Sequence, residues 1–317
     1  MKLLEKPEHG SIAWLQKRHR DTEGRVVFGA TEAPVLMNHS PYMTRPELFA
    51  AKNTEPKVGK ETAAFRRGNL IEPVLVAEAG TVLGIPFYTP NFMYQNSRFV
   101  VTLDGVDNAL SPSVIVEAKT TTRYRVRDAE DLPREWLWQA WAQMFVTGAD
   151  VWFSVLDSEQ NIGVVQCPKN DDALAALSDE SERFAQAIEA DAPPADFADM
   201  VIDADTVARI WRPTPTSVEL SRDDVYWLQQ IVHAKELVAE GELLKKNAED
   251  HIAMILKNHE TGTFNGEKVV SWKEQAGRSS LDTKALREDH PHIIAQYERQ
   301  GKPFRVMRTH KIASPTA

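Results

Sequence analysis

The sequence predicts an α/β (α+β) fold in which a mixed central β-sheet is flanked by helices, with a mainly helical region appended on its C-terminal side. Three observations carry this. Hydrophobic periodicity orders the N-terminal stretch as helix–β–β–helix–β–β–helix, a succession that suits a mixed sheet between helical layers. A polar, Pro-rich break follows, in DAPPADFADM and RPTPTS. Beyond it, a stripe of apolar residues keeps helical period for about seven turns. The predicted division is a core at 1–211 and a C-terminal helical extension at 212–317.

Taken in order, residues 11–52 read as helical segments broken by loops at Asp21–Gly29 and Asn38–Thr44. Residues 61–83 read as helix, with Pro73 either kinking it or opening a second helix at its first turn. Ser97–Asp104 (SRFVVTLD) and Ser113–Lys119 (SVIVEAK) read as paired strands, and the link GVDNALSP has hairpin chemistry. Pro133–Thr147 reads as an amphipathic helix. Leu137, Trp141, Met144 and Phe145 form its apolar face, and Trp136, Gln139 and Gln143 share the opposite one. Val151–Leu156 and Ile162–Cys167 read as strands, and Asp171–Ala190 as helix. A short apolar piece lies around Val207–Trp211 within the break. Ser221 and Asp224 then have capping-box spacing. The helix they open carries Leu228, Ile231, Ala234, Val238, Leu244, Ala248, Ile252 and Ile255 on its stripe. GTFNGEKVVSW is hairpin-like, followed by helix near Lys284–Arg299 and a basic tail.

Composition narrows the classes. A chain of 317 residues with 42% hydrophobic content can build a sizeable core, which excludes wholesale disorder. Its apolar runs fall far short of the ~18 residues that a membrane span needs. MKLLEKPEHG has no apolar h-region, so no signal peptide is expected. Cys167 stands alone, which excludes an internal disulfide, a multi-Cys zinc site and a Cys-ligated iron–sulfur cluster. A cytoplasmic setting and no membrane partner are expected. The formal net charge of −9 argues against indiscriminate coating of nucleic acid, so the distribution of charge matters more than the sum. Ala118–Arg127 (AKTTTRYRVR) and Gly301–Lys311 (GKPFRVMRTHK) each hold four basic residues and no acid, and Lys17, Arg18 and Arg20 cluster after Trp14. Arg123 and Arg125, in the first of these stretches, are candidate DNA contacts.

The chemistry concentrates in Asp104, Glu117 and Lys119. Glu117 and Lys119 are two apart on a strand and face the same way, while Val114, Val116 and Ala118 face the other. Folding the hairpin can bring Asp104 beside Glu117. Two carboxylates about 4.5 Å apart repel by about 3–4 kcal/mol at an effective dielectric of about 20. A hard divalent cation relieves that repulsion through oxygen ligands. Such a cation polarises a phosphodiester and lowers the pKa of an attacking water, and a Lys ammonium offsets charge on transition-state oxygens. The Asp…Glu-x-Lys arrangement is thus that of phosphodiester-cleaving nucleases, although the same residues also suit an ordinary strand salt bridge.

Three neighbours bear on that choice. Glu72 stands among apolar residues on a helix before the strands, as a third metal-side carboxylate or a solvated helix acid. Gln139 could hold the attacking water or a phosphate oxygen. Trp136, Trp138 and Trp141 suit core packing. Near the N-terminus, Trp14-Leu15-Gln16-Lys17-Arg18 precedes Phe28-Gly29-Ala30-Thr31-Glu32. An Arg, a hydroxyl and free N–H groups at a helix start can bind an anion, or can be a surface Arg and an ordinary cap.

Together these pieces resemble the YqaJ-type viral recombinase family, also called the lambda exonuclease family. The resemblance runs in order from about Trp14 to Cys167. It comprises W-L-x-x-R, G-A-T-E, S-P-Y at Ser40–Tyr42, R-G-x-x-x-E, T-x-D-G, V-E-A-K and Q-x-x-x-Q-M-x-V-T-G. It implies the restriction-endonuclease-like PD-(D/E)XK core. It also implies a processive, Mg²⁺-dependent 5′→3′ exonuclease on linear double-stranded DNA with free ends, with Mn²⁺ as a substitute metal. Such an enzyme releases 5′-mononucleotides and leaves 3′ overhangs for phage-type recombination by strand annealing. The implied partners are two further copies in a toroidal homotrimer and a single-strand annealing protein. The implied setting is the bacterial host cytoplasm, with a phage or prophage source.

Carried over residue by residue, Asp104, Glu117 and the Ala118 carbonyl hold the metal, and Lys119 serves the water and the transition state. Glu72 and Gln139 complete the site. Arg18, Thr31 and Thr102 fall where the family places its terminal 5′-phosphate pocket. Thr31 and Thr102 stand where lambda-type members carry Ser, keeping the hydroxyl, and Trp136 stands where a Tyr is found. Residues 212–317 have no counterpart in the shortest members and suit assembly, a partner or DNA contact. Two other functions fit the same residues: a structure-specific DNA endonuclease on the same fold, and a non-catalytic DNA-end-binding module. The acid set with Lys119 argues against the latter. A Cas4-like nuclease is disfavoured because one Cys cannot hold its cluster.

Overall fold

The computed structural model describes residues 1–59, 62–301 and 304–310. The chain divides into two units, Met1–Arg212 and Pro213–Ala317.

Two sheets organise the first unit. One is antiparallel, in the order β1 (Lys2–Glu5), β2 (Phe92–Asn96), β3 (Phe99–Val101). The other runs β4 (Gly105–Val106), β5 (Val114–Thr120), β6 (Asp150–Leu156), β7 (Ile162–Gln166). Its central pair β5–β6 is parallel and its outer pairs are antiparallel, so the sheet is mixed. Parallel neighbours need a crossover, and the helix α5 (Arg134–Thr147) supplies it. Before β2 come α1 (Ile12–Lys17), α2 (Ala33–Leu36), α3 (Arg45–Lys52) and α4 (Ala63–Leu83). After β7 come α6 (Asp171–Glu189) and α7 (Ala204–Ile210).

The helices cover both faces of the mixed sheet. Val76 and Ala79 of α4 pack with Val116 on one side. The larger core, with Ile115, Phe153, Ala140 and Phe184, lies on the other, where α5 and α6 sit. The alternation of β5 therefore sends Val116 and Ala118 toward α4, and Ile115, Glu117 and Lys119 toward α5. Among the described residues, no helix is long and apolar enough to cross a membrane.

Three local expectations are corrected, and one alternative, at Pro73, is decided. Ser97–Asp104 is not one strand paired with Ser113–Lys119. Phe99–Val101 pairs back on β2, and pairing with β5 passes to Gly105–Val106, inside the expected hairpin link. Buried Phe99, Val100 and Val101 already have a partner in Phe92–Asn96, which short-range periodicity did not single out. The α4 helix runs through Pro73 rather than restarting there. Helix α5 has no polar solvent face: Gln139 is 9% exposed and Gln143 is fully buried, because the helix is enclosed by sheet and helices. The helix near Lys284–Arg299 is two, α9 (Thr283–Asp289) and α10 (Pro291–Tyr297). Pro291, lacking an N–H, opens the second of them.

In the second unit, α8 (Arg222–Leu256) starts at a Ser221–Asp224 capping box. Strands β8 (Thr261–Phe264) and β9 (Glu267–Ser271) form a hairpin. It turns at Asn265 and Gly266, which both have positive φ, as a tight hairpin turn requires. Leu256 is the one buried residue of this unit among the described residues, and stripe residues such as Val238 and Leu244 are exposed. Lys302 and Lys311 of the basic tail lie outside the described residues.

Candidate active site

The register of β4 against β5 pairs Val106 with Ile115 and Gly105 with Val116. One step further, just before β4 begins, Asp104 meets the Glu117–Ala118 segment, and Ala118 N–H donates to Asp104 Oδ2 at 2.9 Å. A strand residue sends its N–H and C=O to the same edge, so the Ala118 carbonyl also opens toward Asp104. Gly105 lets α4 pack closely over this edge: a Cβ there would stand 2.8 Å from Val76 Cγ1.

Glu117 and Lys119 project toward α5, which lowers two glutamines onto them. Lys119 Nζ donates to Glu117 Oε1 at 2.7 Å and to Gln139 Oε1 at 2.9 Å. Gln139 Nε2 donates to Glu117 Oε1, and Gln143 Nε2 to Glu117 Oε2, each at 2.5 Å. Both carboxylate oxygens of a nearly buried Glu are thereby satisfied, and the ammonium of Lys119 is held on two sides.

Glu117, Lys119 and Gln139 line a cleft of about 330 Å³ with Glu72 and Asp104. The same cleft includes Arg18, Thr31 and Thr102. Arg18 follows α1 directly, and its Nη2 donates to Thr31 Oγ1 at 2.8 Å. The guanidinium stacks over Trp14, 4.3 Å from the ring centroid, and rests on Gly29. Any side chain at Gly29 would displace it, since a Cβ there would lie 1.9 Å from Nη2. Arg123 and Arg125 do not line the cleft: Arg123 is exposed, and Arg125 pairs with Glu159 at 2.9 Å. Trp136 packs between Tyr124 and Phe153, and Trp141 donates from Nε1 to the Pro168 carbonyl.

Negative charge dominates the acid end. Burial raises the Asp104 carboxyl well above its ordinary value, and Glu117 and Glu72 raise it further, against the Ala118 N–H and Lys119. Burial and then Glu117 raise Glu72, against Lys6 and Lys119. Among the described residues, no three His, Cys, Asp or Glu side chains converge as a metal cage. A cation here would rest on Asp104, Glu117 and the Ala118 carbonyl. This oxygen-only donor set, whose acids repel one another despite Lys119, fits a hard divalent ion.

Two features escaped the sequence reading. Gln143 was placed on a helix face without a role, although its i,i+4 spacing from Gln139 puts both on one side of α5. The aromatic wall joins Trp14 of the W-L-x-x-R segment to His9 and Phe65, which no motif marks. His9 meets Trp14 edge-on at 4.6 Å and stacks on Phe65 at 5.8 Å.

The family model of the YqaJ-like viral recombinase domain matches residues 13–150, most of the stretch on which the sequence resemblance rests. No curated protein matches the chain. Among solved structures, the chain is similar to an alkaline exonuclease from Laribacter hongkongensis, at 15% identity over 56% of this chain and 91% of that one, with a TM-score of 0.42. It is also similar to that exonuclease in complex with dAMP, at 16% identity over 51% and 87%, with a TM-score of 0.40. A phage related exonuclease from Haemophilus somnus 129PT aligns at 9% identity over 52% and 96%, with a TM-score of 0.37.

Proposed function

We propose, from the match of residues 13–150 to the model of the YqaJ-like viral recombinase domain, that the protein is a Mg²⁺-dependent exonuclease. It digests linear double-stranded DNA processively from the 5′ end, releasing 5′-mononucleotides and leaving 3′ overhangs for strand annealing. The observation that carries this reading is the single cleft joining Arg18 and Thr31 to Asp104, Glu117 and Lys119. An anion-binding end lies beside a phosphodiester-cleaving end.

Arg18 can grip a terminal phosphate with two parallel N–H groups, with the hydroxyls of Thr31 and Thr102 beside it. Asp104, Glu117 and the Ala118 carbonyl would hold Mg²⁺, or Mn²⁺ in its place, which when bound polarises the scissile phosphate and acidifies a water. Lys119, held by Glu117 and Gln139, offsets negative charge on the phosphoryl oxygens as the P–O3′ bond breaks. The first nucleotide then leaves with its 5′-phosphate and a new 3′-hydroxyl, and the second nucleotide becomes a new 5′-phosphate end. Each turnover thus regenerates the group that Arg18 binds, which favours processive cutting. Following the family's pattern, the working form is a toroidal homotrimer acting with a single-strand annealing protein in a bacterial cytoplasm, and residues 212–317 serve assembly, partner or DNA contact.

The test is digestion of end-labelled linear duplex and of closed circular DNA, with and without Mg²⁺. Mononucleotides released from 5′ ends of the linear duplex alone, and only with the metal, support the reading. Cutting of the circle would make the protein an endonuclease. Binding of ends without hydrolysis would make it an end-binding module.

A further inference from the structure

Behind Arg18 lies a charged pair that does not line the cleft. The side chain of Lys52, from the last turn of α3, is 1% exposed. Its Nζ donates to the carbonyl oxygens of Arg18 and Val27, both at 2.8 Å, and lies 2.9 Å from Glu32 Oε2. The same Glu32 oxygen accepts the Gly29 N–H at 2.7 Å. One buried ammonium thus ties together the residue that carries the guanidinium, the extended segment at Val27, and the acid adjacent to Thr31.

Desolvating an ammonium and a carboxylate is costly, and such a pair is weak evidence for stability. Its position suggests control of charge instead. Glu32 lies in the field of two cations, Lys52 and Arg18. Burial pushes its carboxyl up, yet Lys52 and then Arg18 hold it below its ordinary value. Without Lys52, that carboxylate would be compensated by Arg18 alone, and an arginine already compensated attracts a phosphate less.

We propose that Lys52 is a positioning residue for end recognition: by neutralising Glu32 from behind, it leaves the charge of Arg18 to the terminal 5′-phosphate. This rests on the reading of Arg18, Thr31 and Thr102 as the end-binding pocket.

The readout is the ratio of digestion rates on 5′-phosphorylated and 5′-hydroxyl linear duplexes, measured with the full chain. Wild type prefers the phosphorylated end. Lys52→Met loses ~10-fold or more of that preference, the scale of one charge-assisted hydrogen bond. Glu32→Gln, whose amide oxygen can still accept from Gly29, keeps it. The double variant recovers most of what Lys52→Met loses, because both members of the pair are then neutral. A general packing defect would not be repaired by removing the second charge. Full preference in Lys52→Met, or a double variant no better than the single, overturns the proposal. Should Lys52→Met not fold, Glu32→Gln and the double variant decide, and loss of preference in either overturns it. A wild type indifferent to the 5′-phosphate instead removes the Arg18 pocket itself, an outcome distinct from wild-type preference that Lys52→Met leaves intact.

Discussion

Gln143, a side chain with no exposed surface, donates from Nε2 to Glu117 Oε2 at 2.5 Å. Gln139, one turn earlier on the same helix, donates to the other oxygen. The crossover helix therefore sets the orientation of a carboxylate on the strand beneath it. Gln143→Leu would leave Oε2 unpaired where water is excluded, a cost of about 1–3 kcal/mol. We expect a lower melting temperature and turnover reduced ~10-fold or more. Unchanged single-turnover rates on linear duplex would show that Gln143 does not orient Glu117 for the reaction.

Asp104→Ala and Glu117→Ala should abolish hydrolysis while DNA binding in Ca²⁺ persists, since each removes one oxygen donor from the proposed cation site. Lys119→Ala should cost ~10²-fold or more, the scale of losing one preorganised charge stabiliser. Near-normal turnover by either carboxylate variant, in a digestion assay paired with a gel-shift, would sink the metal assignment.

Arg18→Ala should lose both processivity and the preference for 5′-phosphorylated ends. Arg18→Lys should rescue little, because an ammonium cannot grip a phosphate bidentately. Gly29→Ala offers an independent route to the same phenotype, because its Cβ would occupy the place of the Arg18 guanidinium. Retained end discrimination in Gly29→Ala would mean that the guanidinium can work from elsewhere.

Acid should loosen the first unit at Arg98. Its guanidinium donates to both carboxylate oxygens of Glu182, at 2.7 and 2.9 Å, and holds that carboxyl at about 2. A depressed folded-state pKa gives stability that is fully present above the ordinary Glu value of about 4.3 and is lost as pH falls toward about 2. Glu182 is 44% exposed, so solvent screening limits the effect to about 1 kcal/mol. Melting curves across that window should fall more steeply for wild type than for Glu182→Gln. Parallel curves would remove this pair from the acid response.

Truncation after Arg212 should leave a folded unit that still cleaves DNA, because the buried core described above belongs to residues before that point. Oligomer size and binding of an annealing partner should be what changes, measurable by light scattering and pull-down. An insoluble product would show that the apolar stripe of α8 packs on the core. Truncated protein with normal assembly and normal salt dependence would deny the extension either role.

The sequence by itself determined whatever depends on local period and spacing. Alternation on one strand placed Glu117 and Lys119 on a common face. The Ser221–Asp224 spacing marked the start of α8, and the helix–β–β–helix–β–β–helix order implied a mixed sheet between helices. The segment holding Arg18 and Thr31 left open whether the two bind an anion or are a surface Arg and an ordinary cap. Tertiary structure alone decided which strand receives Phe99–Val101, a competition between partners that a local pattern cannot rank. It decided that Gln143 lies against Glu117 and that Lys52 lies behind Arg18, although each pair is more than twenty residues apart in the chain. It also showed that Arg123 and Arg125 stand outside the cleft, because a basic stretch records charge but not the direction in which the turn after β5 carries it. Period is a property of one element, whereas burial and facing arise from packing several elements together, so chemistry carried by side chains meeting across elements became visible only in the folded chain.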